Sequence, residues 1–363
     1  MPVLSVIIPV YNVAPYLRAC LNSVRVAVAE VQRVRPNFTA EMICVDDGST
    51  DDSGRVLDEY VGEVQVADSD CKSVVLQGKN DPRTVHINLI SSPFFHIIHQ
   101  KNAGVSVARN VALDVATGEW VMMLDGDDTW ASDLLIRLLE KIDEHSDCDA
   151  VCFGMVEVDE RKVEVNVDRE KRVCCVTTGN EILLEGRGRL SRYIWSSCDK
   201  IFRRSVIEQA QLRYVPNIRV GEDSLFSQMF FAQSGKVVLD GENEGYHYLM
   251  KKDSAIHQME QMVPDELFPK FLPLYELWRR IGGDGLKTRL QLDAAEAPFV
   301  FKEARFADIR SAVLDKIIDS ETFNKLIIQF LIFHGRIKSR LFACVYLCLS
   351  RKMRKRLILA SGN

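Results

Sequence analysis

The sequence predicts an α/β protein organised on a doubly wound, mostly parallel sheet. Three observations carry that expectation. Leu4 to Val10 is a continuous apolar run of strand formers, the pattern of a strand covered on both faces. Segments of strand and helix periodicity then alternate at the spacing of βαβ units. Two of the strands run directly into carboxylates: Met42 to Val45 into Asp46 and Asp47, and Trp120 to Leu124 into Asp125, Asp127 and Asp128. In an open α/β sheet, ligands bind at the carboxyl ends of the strands.

Pro9, Tyr11 and Asn12 end the first strand, and Leu17, Leu21, Val24, Val28 and Val31 mark a helix within residues 15–34. After the second strand, Ser49 or Thr50 can cap a helix carrying Val56, Leu57 and Tyr60. Residues 62–93 lose periodicity and turn at Gly78, Asn80, Asp81 and Pro82. A surface insertion is expected there, with a small hairpin of 73–76 against 85–90. Phe94 to His99 is the third strand. Residues 104–117 form a helix with Val107, Ala108, Val111, Ala112 and Val115 along its buried side and Arg109 near its start, stopped by Gly118. Right-handed crossovers bring the carboxyl ends of the four strands to one edge, where the acids converge.

Residues 132–145 follow as a helix with Leu134, Leu135, Leu138, Leu139 and Ile142 on one stripe. Residues 150–158 then read as one strand, 173–176 as a shorter one, and Thr178 or Asn180 opens a helix. Residues 193–204 mix aromatics with charge. Gly221 to Ser224 precede a helix that buries Leu225, Phe226, Met229 and Phe230, and residues 236–239 and 245–250 are further strands. From Pro264 onward the chain reads as mostly helical.

Three like charges within four residues are tolerable when solvated or when a cation sits between them. All-oxygen donors of this kind suit Mg²⁺ or Mn²⁺. The plainer alternative is an acidic turn capping the next helix. No GxGxxG or GxxxxGK[ST] stands at a strand-to-helix turn, which argues against a dinucleotide fold or a P-loop ATPase.

A chain of 363 residues, 47% hydrophobic and 27% charged, is globular in composition. Its net charge of −5 is unevenly spread: residues 322–363 hold nine Lys or Arg and no acid, which leaves −14 for residues 1–321. Ten cysteines with no CxxC pair argue against a zinc site. The N-terminal stretch MPVLSVIIPVYN lacks the features of a signal peptide, so reduced thiols in a cytoplasmic protein are expected. No apolar run has the length to cross a bilayer.

With PVYN, VDDGSTDDS, NAGVSVARN, LDGDD and GEDSLF in this order over roughly residues 4–257, the chain resembles the inverting glycosyltransferases of family 2, which have the GT-A fold. The resemblance implies that Asp46, with Asp47 as neighbour, binds the base and ribose of a nucleotide sugar. Pro9 and Tyr11 would line the same pocket and Arg109 would approach the base. Asp125 and Asp127 match the DxD motif that holds Mn²⁺ or Mg²⁺ against the diphosphate, with Asp128 as the following acid. Glu222 and Asp223 match the acidic pair before a helix, and Asp223 is the position of the general base. Without the resemblance, Asp223 reads as a helix N-terminal acid favoured by the macrodipole.

Other residues carry two readings each. Lys200, Lys251 and Lys252 are candidates for diphosphate neutralisation or plain surface charge. His247 and His257 fall where a late loop folds over the donor in such enzymes, and Trp195 reads as a core aromatic or as a platform for the acceptor sugar. Gly126 stands where serine is more usual in the motif.

The expected organisation is a GT-A domain over residues 1–260, with the insertion at 62–93, followed by a helical, basic region over 261–363. The expected function is metal-dependent, inverting hexosyl or N-acetylhexosaminyl transfer in surface polysaccharide synthesis. The donor would be a nucleotide sugar, a UDP-sugar, and the acceptor a saccharide or lipid-linked molecule. The basic amphipathic tail suits the anionic inner face of the cell membrane, and no motif supports nucleic-acid binding. A nucleotidyltransferase, which would want a Gly-rich basic loop where Pro9 to Val13 stands, and a catalytically inactive sugar-nucleotide-binding homologue are the alternatives.

Overall fold

The computed structural model describes residues 3–65, 72–74, 89–92, 95–161, 163–165, 172–184, 189–216 and 222–251. The chain divides into two compact units, Met1–Ile182 with Arg189–Lys251, and Leu183–Gly188 with Lys252–Asn363. Of the second unit only Leu183 and Leu184 are described, so the expected helical, basic region lies outside the described residues, as do Lys252, His257 and most of the 62–93 insertion.

The first unit begins with β1 (Leu4–Val10), α1 (Ala14–Val34), β2 (Ala40–Asp46), α2 (Ser53–Gln65), β3 (Lys72–Val74), β4 (Leu89–Ser92) and β5 (Phe95–His99). It continues with α3 (Val105–Val115), β6 (Trp120–Met123), β7 (Thr129–Trp130), α4 (Leu134–Glu144), β8 (Ala150–Phe153), β9 (Met155–Val158) and β10 (Glu164–Val165). Then come β11 (Cys174–Thr178), α5 (Gly179–Leu184), a 3-10 turn at Arg189–Ile194, β12 (Lys200–Arg203), α6 (Arg204–Gln209), α7 (Glu222–Phe231), β13 (Lys236–Asp240) and β14 (Tyr246–Leu249).

The four predicted strands form the parallel centre of the main sheet: β1 pairs with β2 and β6, and β2 pairs with β5, all in parallel. Leu4, Val6, Ile7, Ile8 and Val10 of β1 are buried, and each such side chain contributes about 1.5–3 kcal/mol. Helix α1 lays Leu17, Leu21, Val24, Val28 and Val31 into the core, as their spacing predicts. The full order is β11-β13-β8-β12-β6-β1-β2-β5-β4-β3. Strand β12, which sequence patterning does not reveal, runs antiparallel between β6 and β8.

A second sheet, β10-β9-β14-β7, is also absent from the sequence reading. The single strand expected over 150–158 is two strands that belong to different sheets, broken at Gly154. Its N–H donates to Asn243 O at 2.8 Å, and an added Cβ would stand 2.9 Å from Gly241 O. The small sheet matters for function because β7 pairs with β14, so the acidic turn 125–128 bridges the two sheets. Among the described residues no helix is long and apolar enough to cross a membrane.

Candidate active site

The loops after β1 and β2 brace one another. Asn12 takes a left-handed conformation, with φ of 53°, and its Oδ1 accepts from Thr50 N at 2.8 Å and Asp51 N at 3.3 Å. Val13 N and Ala14 N donate across to Ser53 Oγ at 2.9 Å and Asp51 Oδ2 at 3.1 Å. Gly48, with φ of +70°, turns the chain where an added Cβ would be 2.7 Å from Asn102 N.

Asp47 is buried with both oxygens taken. Oδ1 accepts from Gln100 Nε2 at 2.6 Å and Ala103 N at 2.8 Å, and Oδ2 from Gly104 N at 2.8 Å. It fixes the loop that launches α3. Asp46 accepts from Ser49 N at 3.0 Å and shares a 2.9 Å hydrogen bond with His99 Nδ1. Burial works against its charge, but those bonds hold its carboxyl below the usual range, and the bond to Asp46 raises His99. His99 was missed in the sequence; it sits beside Asp46 in the β2–β5 register. Tyr11 is 48% exposed at the mouth of β1.

The three carboxylates of the acidic turn go to separate partners. Arg109 Nη2 donates to Asp125 Oδ1 at 2.8 Å, Lys251 Nζ pairs with Asp127 Oδ2, and Asp128 accepts from Tyr246 OH at 2.6 Å and Leu249 N at 2.8 Å. Gly126 permits the turn to lie against β1, since an added Cβ would be 3.1 Å from Val13 Cγ2 and 3.2 Å from Pro9 O.

Arg109 joins this turn to α7. Its guanidinium, on a side chain only 2% exposed, also donates through Nη1 to Asp223 Oδ1 at 2.6 Å and to Glu222 Oε1 at 3.1 Å. Asp223 also accepts from Ser197 Oγ at 2.9 Å. Burial raises Asp223, opposed by Arg109 and reinforced by Asp125. Glu222 is pushed up to about 7 by burial and by the charge of Asp223, against the pull of Arg109. Both acids stand in the first turn of α7, and a carboxylate of raised proton affinity is suited to take up a proton near neutral pH.

The family model described as Glycosyl transferase family 2 matches residues 5–210, more than half of the chain. The chain belongs to glycosyltransferase family 2. It is 28% identical over 239 residues to the uncharacterized glycosyltransferase EpsJ of Bacillus subtilis, covering 65% of this chain and 58% of that protein. It is 25% identical over 266 residues to the poly(ribitol-phosphate) beta-glucosyltransferase of Bacillus spizizenii, covering 73% of this chain and 35% of that protein. The chain thus spans well under two thirds of either relative. The crystal structure of S. aureus TarS 1-349 in complex with UDP-GlcNAc superposes with a TM-score of 0.61 at 19% identity, covering 99% of this chain and 91% of that one. At that identity the match establishes the GT-A fold.

In this family 2 glycosyltransferase four of the candidate residues are engaged within the protein. Asp128 turns its oxygens to Tyr246 and Leu249, and burial together with Asp127 and Asp125 pushes its carboxyl well up. Among the described residues no three His, Cys, Asp or Glu side chains gather as a metal-holding group. Arg109 pairs with three carboxylates, and Asp47 faces protein donors on both oxygens. Lys200 is buried on Ser196 O, at 2.6 Å, and on Asp199. Trp195, by contrast, is 63% exposed and so is not a core aromatic. Ser197 and Tyr214 carried no local signal; only the fold brings them to Asp223.

Proposed function

We propose that this chain transfers a sugar from a UDP-sugar, with inversion, to a saccharide or lipid-linked acceptor in surface polysaccharide synthesis. The observation that carries the reading is the single guanidinium of Arg109 held by both Asp125 and Asp223, which sets a diphosphate-side acid and a base-side acid at a fixed separation. Family membership and the names of the relatives, glycosyltransferases of cell-surface polymers among them, support it.

Asp125 and Asp127 are the two acids of the turn with partly open side chains, 34% and 21% exposed. Their hard oxygens fit Mn²⁺ or Mg²⁺, which take one or two carboxylates and complete their shell with phosphate and water. When bound, such an ion supplies Lewis-acid neutralisation of the departing diphosphate. Lys251, beside Asp127, adds positive charge at the same place. Tyr11, Pro9 and Asp46 stand at the ends of the neighbouring strands, where the nucleoside would lie.

Asp223 takes the proton of the acceptor hydroxyl as that oxygen bonds to the anomeric carbon. The bond from that carbon to the diphosphate oxygen breaks on the opposite face, and UDP leaves with the electron pair. One displacement inverts the centre. General-base assistance of this kind contributes roughly 10²- to 10⁴-fold. Beyond the catalytic unit, the tail over 322–363 is read from its charge as a contact for an anionic membrane surface, checked by co-sedimentation with anionic lipid vesicles.

UDP release from a panel of UDP-sugars with Mn²⁺ tests the reading. One donor should support release in the wild type, and EDTA or Asp127→Ala should abolish it. Release that is indifferent to both treatments would rule out the role given to the acidic turn.

A further inference from the structure

Every hydrogen bond that the described residues make to Asp223 falls on one oxygen. Arg109 Nη1 and Ser197 Oγ donate to Oδ1 at 2.6 and 2.9 Å. Ser197 is itself oriented, because Tyr214 OH donates to its Oγ at 2.7 Å and leaves the serine proton to go to the carboxylate. Tyr214 is fixed in turn on three sides. Its ring stacks on Phe226 at 4.2 Å with 3° between planes, the Arg109 guanidinium lies 5.1 Å over it, and Asn110 spans its backbone with two 2.7 Å hydrogen bonds. Ser197 and Tyr214 are both buried.

We infer that Ser197 and Tyr214 are positioning residues which hold the Asp223 carboxylate so that Oδ2 is the oxygen presented to the acceptor hydroxyl. The inference rests on the reading of Asp223 as the base. Two donors converging on Oδ1 fix both the rotation of the carboxyl and the lone pairs that remain for proton uptake. Arg109 alone cannot do this, since its two terminal nitrogens are shared among three acids. A base held by one hydrogen bond rather than two samples unproductive orientations, and misplacement on the order of 1 Å costs up to about 10²-fold in rate.

The chain from Tyr214 to Ser197 to Asp223 joins three separate stretches: the turn before β12, the segment after α6, and the first turn of α7. Its members are therefore tied to the base by the fold rather than by a motif. Serine suits the link because one hydroxyl both accepts and donates. Alanine removes the link, and threonine keeps it.

The test uses the full chain, Mn²⁺ and whichever UDP-sugar the wild type turns over, with UDP affinity measured by calorimetry. Ser197→Ala should lower kcat on the order of 10- to 100-fold while the UDP dissociation constant stays within about twofold. Tyr214→Phe should lower kcat by a smaller factor, near tenfold, the worth of one hydrogen bond, and Ser197→Thr should restore most of the rate. In the Asp223→Asn background, Ser197→Ala should add less than about twofold, because the two act through the same group. Wild-type turnover in Ser197→Ala, or an equal loss in both backgrounds, overturns the inference. Should Ser197→Ala fail to fold by circular dichroism, Tyr214→Phe alone decides, and wild-type kcat in that variant overturns it. Wild-type turnover in Asp223→Asn, or no turnover of any UDP-sugar by the wild type, overturns the base reading itself. An inactive Asp223→Asn beside an unaffected Ser197→Ala overturns only the positioning role.

Discussion

Arg109 and Asp223 meet at 2.6 Å through Nη1 and Oδ1, and the same arginine reaches Asp125 through Nη2 at 2.8 Å. A buried cation that balances three acids cannot be removed without stranding them. Arg109→Met is expected to cost about 3–5 kcal/mol of stability at neutral pH. The deficit should shrink as pH falls, because Glu222 and Asp223 then take up protons and shed the charge left unpaired. Thermal melts across pH check both parts; a deficit that does not change with pH would count against the ion cluster as its source.

The Glu222–Asp223 pair sets the acid side of the pH profile. Burial raises both groups, with the charge of Asp223 adding to Glu222, which reaches about 7, and that of Asp125 adding to Asp223, so kcat should rise with pH through a limb that lies above the ordinary aspartate range. Glu222→Gln removes the group that is pushed up to about 7 and should move that limb to lower pH. A limb that stays put or moves upward would contradict the assignment.

Lys251 pairs with Asp127 and lies 4.9 Å over the Tyr16 ring. It competes with a divalent ion for the same carboxylate. Lys251→Ala should therefore bind Mn²⁺ more tightly in the absence of donor, by several-fold, as for a surface-type ion pair worth up to about 1 kcal/mol. Titration followed by the paramagnetic resonance of free Mn²⁺ reads this directly. Weaker Mn²⁺ binding in the variant would show that Lys251 does not shield the site.

Trp195 is exposed two residues before Ser197, whose hydroxyl touches the base. If it supports the acceptor sugar, Trp195→Ala should raise the acceptor KM about tenfold, near 1.4 kcal/mol, with donor affinity unchanged. Equal effects on donor and acceptor would remove it from the acceptor side.

Glu41 lies at the other end of the sheet and serves stability. Burial raises its carboxyl, but hydrogen bonds from His96, Ser5 and Thr117 outweigh that and hold it at about 2. A depressed carboxylate contributes stability that is full above its unfolded value, near 4.5, and is lost as pH falls through its folded value. The shift corresponds to about 3 kcal/mol. Glu41→Gln should lower the melting temperature at pH 7 and make little difference near pH 2; an equal deficit at both would argue for lost packing instead.

The parallel centre of the sheet was legible because long apolar strands and amphipathic helices announce themselves by period, and the acids were legible because they follow those strands. What escaped lies where the signal is not local. Strand β7 is two residues, Thr129 and Trp130, too short for any periodicity, yet it organises the small sheet that carries Tyr246 and Lys251 to the acids. Lys200 looks like a surface cation in sequence and is buried because β12 is an interior strand. The ion pairs of Arg109 were not legible, since position on α3 does not reveal that α7 presents two carboxylates to it.

The most direct measurement is the turnover of Asp223→Asn at saturating donor, paired with its UDP affinity. The structure predicts a rate lower by about 10²- to 10⁴-fold with UDP affinity within about twofold of the wild type. Turnover at the wild-type rate would contradict Asp223 as the base and, with it, the mechanism built on the Arg109 cluster.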